Sequence, residues 1–206
     1  MYNENQEMSP IGHFRIFHTV PNAPNVDVYA DDKLIIKNLP YSKYTTYAPI
    51  YEGIYNISLY ETGTKDSPLI SNMLTINKDD IITIAAIGTP ETIGFLAISD
   101  NNMPMNSNMS MVRFAHLSPN APAVDITLPD GTILFDNISF KELTQYIEVP
   151  GSNYTLQVRL AGTPTVALTV PNVNLNPNKR YTVYAIGLAG EMPELEAILT
   201  LDGSMN

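Results

Sequence analysis

The chain contains no cysteine among its 206 residues. That excludes disulfides, thiolate nucleophiles and cysteine-based metal sites, and it leaves the redox compartment undecided. Tryptophan is missing as well, and charged residues make up only 16% of the chain. Basic residues are scarcest: 11 stand against 21 acidic ones, for a formal net charge of −10. Such a surface repels phosphate backbones and anionic lipid, so neither nucleic acid nor a membrane surface is expected as a partner. No segment approaches the roughly 18 apolar residues of a membrane span, so no membrane insertion is expected. The opening "MYNENQEMSPIGHF" has neither the basic start nor the apolar stretch of a secretory signal peptide.

What is present is Thr, Tyr, Ile, Val, Asn and Pro in abundance, with 44% hydrophobic residues. That suits a globular protein made of pleated strands and turns rather than exposed helices. One phrase occurs twice. "HTVPNAPNVDVY" runs from His18 to Tyr29, and "HLSPNAPAVDIT" runs from His116 to Thr127. Sliding the chain by 98 places sets Arg15–Val28 on Arg113–Ile126, with eight of 14 positions identical. At a shift of 99 the register continues: Asn38 meets Asn137, Tyr47 meets Tyr146, Tyr55 meets Tyr154 and Gly63 meets Gly162. Later, Ala86–Gly88 meets Ala185–Gly187, both reading AIG. A match of this length is a duplicated domain, longer than any solenoid repeat. The expected organisation is a first unit over 10–100, a linker over 101–110 and a second unit over 111–203. The linker reading rests on "DNNMPMNSNMS", Asp100 to Ser110, which has no periodic apolar face. Its four methionines offer the alternative of a sticky recognition segment.

Within each unit apolar and polar residues alternate along short runs. In "HFRIFH", Phe14, Ile16 and His18 share one face while Arg15 and Phe17 share the other. Val26 and Val28 oppose Asp27 and Tyr29, and Tyr55, Ile57 and Leu59 point one way, as do Tyr154, Leu156 and Val158. Turn signals such as PNAP, TGT, PDG and PGSN separate the runs. About seven or eight strands per unit, with no long 3.6-period segment, predict an all-β chain. Its expected form is two tandem antiparallel β-sandwich domains of immunoglobulin-like or transthyretin-like type, a closed barrel being the alternative.

The stretch "VRFAHLSPNAPAVDITLPDGTILFDNISF", with the later "VPGSNYTLQV", resembles the bacterial family named domain of unknown function 4397. Both units carry its R-x-x-H-x-x-P-x-A-P-x-V-D opening: Arg15, His18, Pro21, Pro24 and Asp27, then Arg113, His116, Pro119, Pro122 and Asp125. The first unit departs from the pattern later, where Tyr51–Glu52–Gly53 stands in place of Pro150–Gly151. The resemblance implies a β-sandwich, often in tandem and often on secreted or surface proteins, and it carries no established activity.

Two readings of the doubled phrase compete. As chemistry, His18 with Asp27 and His116 with Asp125 would form acid–base pairs or metal ligands. One His and one Asp per unit fall short of the three protein ligands of a catalytic zinc site, and His13 has no counterpart in the second unit. Strand parity also sends His18 to the core face and Asp27 to the outer face. As scaffold, the His donates to carbonyls of the proline loop, and Asp27 pairs with Arg15, as Asp125 does with Arg113, on outer faces of neighbouring strands. The scaffold reading is preferred, with no catalytic, cofactor or metal residue assigned. No G-x-S-x-G elbow, phosphate-binding glycine loop or HExxH occurs. Glu191, Glu194 and Glu196 read as a solvated end, and the NIS and NYT triplets as chance glycosylation motifs.

Tyrosine is the remaining hint: twelve are present, and Tyr41, Tyr47 and Tyr51 share one parity. They are the candidate binding surface, for sugar or protein. The expected function is a non-enzymatic interaction or structural protein at a cell or spore surface. A carbohydrate-binding module is second, and a hydrolase or metal enzyme third. The partner is an unidentified protein or carbohydrate, and the two repeats could also pack on one another.

Overall fold

The computed structural model of the chain describes residues 11–100, 104–106 and 108–203. Residues 1–10, and 101–103 and 107 of the expected linker, lie outside the described residues. Those described form strands and turns with no helix. The first unit contains β1 (Ile11–His18), β2 (Val26–Ala30), β3 (Lys33–Leu39), β4 (Ala48–Tyr51), β5 (Gly53–Glu61), β6 (Ile70–Ile76), β7 (Ile81–Ile87) and β8 (Gly94–Ser99). The second repeats the series as β9 (Met109–His116), β10 (Val124–Thr127), β11 (Ile133–Ile138), β12 (Ile147–Pro150), β13 (Ser152–Leu160), β14 (Val166–Leu175), β15 (Arg180–Ile186) and β16 (Glu196–Asp202). Met109 and Ser110, read as linker from their composition, open β9 instead.

Each unit is a sandwich of two four-stranded sheets. Their orders are β4-β1-β7-β8 and β3-β2-β5-β6, then β12-β9-β15-β16 and β11-β10-β13-β14. The chain is therefore all-β with two tandem sandwiches. The strand pairs of each sandwich are antiparallel except one, since β1 runs parallel to β7 and β9 parallel to β15. A parallel pair requires a long crossover, and the strands from β2 to β6 supply it. The order also separates the two expected sandwich types. An immunoglobulin constant sandwich keeps its first and second strands in one sheet, whereas β1 and β2 lie in opposite sheets. The eight-stranded, transthyretin-like arrangement fits.

Each sandwich has its own core. In the first, Phe14, Ile16, Val26, Val28, Ile57, Leu59 and Ile84 meet between the sheets. Phe114, Ile126, Phe135, Leu156, Val158 and Val183 do so in the second. β7 and β15, however, are buried on both faces, as a strand is when its sheet is covered from either side. The second cover is the other unit. Phe17, Ala85, Ile87 and Ile98 of the first unit meet Ala115, Leu117, Tyr184 and Ile186 of the second in a third cluster. At its centre the rings of Phe17 and Tyr184 stand edge to face, 5.1 Å apart and at 86°.

Candidate functional site

The two signature histidines end β1 and β9, fully buried. His18 Nε2 lies 3.0 Å from Pro24 O, and His116 Nε2 lies 3.1 Å from Pro122 O. A carbonyl only accepts, so Nε2 carries the proton and donates to the proline loop. Each Nδ1 is buried without a hydrogen-bond partner. Burial, only partly opposed by the loop carbonyl, holds both imidazoles below their ordinary pKa. They are neutral struts, each holding its strand end to the PNAP loop. Pro21 packs inward in that loop, while Pro24 and Pro122 lie exposed at its far end.

Asp27 has other partners. Its carboxylate accepts from Asn38 N at 2.7 Å, Gly63 N at 3.1 Å and Thr62 Oγ1 at 3.2 Å. Asp125 repeats this on Asn137 N at 2.7 Å and Gly162 N at 2.8 Å. Asn38, Gly63, Asn137 and Gly162 all have positive φ, between 50° and 84°. The aspartate thus staples two left-handed positions, one beside the irregular pairing of β2 with β3 and one in the turn after β5. Burial raises the Asp27 carboxyl, but the bonds from Gly63, Asn38 and Thr62, with nearby Lys37, carry it below its usual value. His and Asp of each phrase therefore serve separate loops and form no acid–base pair.

The expected Arg15–Asp27 and Arg113–Asp125 pairs do not form, and the reason is topological. β1 and β2 lie in opposite sheets, and the outer face of the β1 sheet is covered by the second unit. Arg15 crosses to that unit. Its guanidinium donates to Asp202 Oδ1 at 2.7 Å, Thr200 Oγ1 at 3.0 Å and Leu201 O at 2.9 Å, while Nε donates to Thr83 at 2.6 Å. Arg113 makes the reciprocal crossing, donating to Asp100 Oδ1, to Ser99 O at 2.9 Å and to Thr182 Oγ1 at 2.9 Å. Each aspartate is steadied within its own unit: Tyr47 OH donates to Asp100 at 2.7 Å and Tyr146 OH to Asp202 at 2.9 Å. The same tyrosine rings lie against the arginines, with Cζ 4.6 Å and 4.3 Å from their centroids. Arg15, Arg113, Asp100 and Asp202 are all at most 4% exposed. Despite burial, the facing tyrosines and carboxylates hold the Arg15 guanidinium charged. We call this two-fold exchange the clasp.

A family profile described as "Domain of unknown function" matches residues 12–127 and again 128–205. The chain belongs to the DUF4397 family. The break between the two matched DUF4397 segments falls after β10, inside the second sandwich, rather than between the sandwiches. No curated protein matches the chain. Among solved structures, the Bacillus anthracis TIE protein is 11% identical with a TM-score of 0.28, over 85% of this chain and 33% of that one. The chain thus spans a third of that protein's length. A Parabacteroides distasonis protein, assigned only provisionally to cell adhesion, is 9% identical with a TM-score of 0.24, over 94% of this chain and 99% of that one. Likenesses this low carry no functional weight.

The DUF4397 signature thus divides its labour: His and Pro fix a loop, Asp staples two turns, and Arg joins the units. Asp100, Asp202, Thr83, Thr182 and Tyr146 belong to the clasp without having been singled out from sequence. A signal was available. Thr83 and Thr182 are polar residues at matched positions in the runs Ile81–Ile87 and Tyr181–Ile186, and an Asp ends or directly follows the last strand of each unit.

The tyrosine surface requires correction as well. Tyr47 is drawn into the clasp, and Tyr41 packs on the third cluster with its hydroxyl buried. Burial, with Glu196 nearby, pushes the Tyr41 hydroxyl up to about 12. Only Tyr51 is open, at 63% exposure. Parity along the chain fails here because β4 is only four residues long, so Tyr41 and Tyr47 precede it in irregular backbone.

The DUF4397 units differ at one sandwich edge. Between β3 and β4 the first unit opens a groove of about 1000 Å³, with Phe14, Ile36, Ile50 and Tyr55 among its lining. The second unit closes the matching space to about 10 Å³. Opposite the second strand of each unit stands Ile36 or Phe135, and opposite the first stands Ala48 or Ile147. The bulkier edge residues belong to the closed unit.

Proposed function

We propose that this protein is a non-enzymatic interaction module whose first unit docks a protein partner on the outer face of its β3-β2-β5-β6 sheet. One observation carries the reading: apolar side chains stand outward there at positions that are polar in the duplicate. Ile54 and Met73 are 64% and 66% exposed, and Leu34 is 41% exposed. Half-buried Tyr29 and Tyr60 lie beside Leu34, their rings 5.2 Å apart, with Lys65 Nζ 4.6 Å over Tyr29. At the equivalent positions of Tyr29, Tyr60 and Ile54 the second unit has Thr127, Arg159 and Asn153; Leu34 alone keeps an apolar counterpart, Ile133. Half-buried tyrosines and exposed aliphatic and methionine side chains around a polar centre, here Ser58, Ser71 and Asn56, suit a protein interface.

Protein is favoured over carbohydrate by ring geometry. Two tyrosines at 77° to one another offer no shared flat platform on which sugar rings could stack. The absence of chemistry is part of the proposal too. It is supported by the engagement of the signature His, Arg and Asp side chains in loop and inter-unit bonds.

The test is site-specific photo-crosslinking from position 54, with position 153 as the matched control, in extracts and on intact cells. A protein captured from 54, lost with Met73→Glu and not captured from 153, supports the reading. Equal labelling from both positions overturns it. So does saturable binding to a glycan array that Tyr60→Ala abolishes.

A further inference from the structure

We propose that the clasp is also an intermolecular interface: the first unit of one chain docks on the second unit of another copy, giving an exchanged two-chain ring. Four observations lead there. Each sandwich encloses its own core, so neither needs its neighbour in order to fill its interior. The surface between them has a separate core and a separate polar network. A single covalent connection, residues 101–108, joins the units, and its nine Cα steps extend at most about 30 Å. Finally, the pairing is reciprocal. Every chain carries both halves, Arg15 with Asp100 on one face and Arg113 with Asp202 on the other, so a two-chain ring leaves no face unmatched.

The side chains also select which faces meet. The position of Phe17 is Ala115 in the duplicate, and the position of Tyr184 is Ala85. The two large rings come from different units and meet edge to face across the contact. Pairing like with like would set Phe17 against the copy's Ala85 and lose that ring contact. The partner face is therefore a second unit, in the same chain or in another. In dilute solution the tether favours closure within the chain, with an effective concentration of order mM. Exchange takes over where chains fold together or crowd. It rests on nothing in the docking proposal above, although a ring would present two first-unit faces to a repetitive partner.

Charge exchange at the clasp tests this in the full chain. Arg15→Asp sets three carboxylates on one contact in one chain, and Asp202→Arg sets two guanidiniums together in another. Mixed, the two chains restore both contacts: the altered positions meet each other in one half of the ring, and the other half is wild type. Each variant alone is expected as an open monomer, and an equimolar mixture as a species of twice the chain mass containing both. Monomers only in the mixture overturn the proposal. Should either variant fail to fold, isotopically light and heavy wild-type chains are refolded together from urea and weighed by native mass spectrometry. Mixed-isotope dimers that increase with chain concentration support exchange, and monomers at every concentration overturn it.

Discussion

Replacing Asp202 with Asn takes one negative charge out of the clasp and removes the carboxylate nearest the buried Arg15 guanidinium. Its bonds to Leu201 O, Thr200 and Thr83 survive, but its remaining charge partner is Asp100, 3.7 Å away. Removing one member of a buried, hydrogen-bonded ion pair costs about 3–5 kcal/mol. Asp100 offsets part of this, which points to the lower end, about 3 kcal/mol. The amide adds a conflict, since Thr182 Oγ1 at 2.6 Å and Tyr146 OH at 2.9 Å both donate to Asp202 Oδ2 and both face an N–H₂ if it is placed there. Against a total stability of roughly 5–15 kcal/mol, the loss is large. Urea unfolding at neutral pH reads it, with a matching cycle through Arg15→Met to isolate the pair. The expected coupling is about 2 kcal/mol, and a value under about 0.5 kcal/mol would refute the assignment of Arg15 to Asp202. The exposed Lys65–Asp32 pair, also 3.7 Å long, is the control; Asp32→Asn should leave the unfolding midpoint unmoved.

Three further outcomes are expected. Asp27→Ala strips acceptors from Asn38 N and Gly63 N, lowering stability by about 2–3 kcal/mol and speeding amide exchange at those two residues; unchanged exchange there contradicts the staple. Burial holds His18 and His116 below the ordinary value of 6.5, so the unfolded chain takes up protons first as pH falls. Stability from this source is full above about pH 6.5 and is lost as pH drops towards the folded-state values. The combined His18→Gln and His116→Gln variant flattens that limb in urea titrations between pH 7 and 5, and an unaltered slope counts against buried neutral imidazoles. Ile36→Phe with Ala48→Ile copies the closed edge of the second unit into the first and should add about 1 kcal/mol in calorimetry; a lower melting temperature means the edges are held apart by something other than side-chain size.

Alternation and turn residues made the sandwiches legible, and the duplicated phrase made their number legible. Strand parity correctly set Phe14, Ile16 and His18 against Arg15 and Phe17. What it could not say is which outer faces meet water. Arg15 looked like a surface residue because the second cover of its sheet comes from residues a hundred positions away. The continuous run Ile81–Ile87 was the visible trace of that cover, since a strand facing solvent on one side would alternate. The tyrosines misled for the opposite reason: a period of two applies only where backbone is extended, and most of Tyr41–Tyr47 is not. The outward apolar face of the β3-β2-β5-β6 sheet escaped notice because Tyr29, Ile54 and Met73 come from three separate strands.

The clasp also sets a timetable. β8 completes the first sandwich at Ser99, but the carboxylate that Arg15 requires is at Asp202, 102 positions after its counterpart Asp100. At roughly 5–20 residues per second of synthesis, the face bearing Phe17, Ala85 and Ile98 stays bare for about 5–20 seconds before its cover exists. A ribosome making this protein therefore holds out a folded domain with an open apolar flank and an arginine short of its nearer carboxylate. Two ribosomes on one message would hold out two.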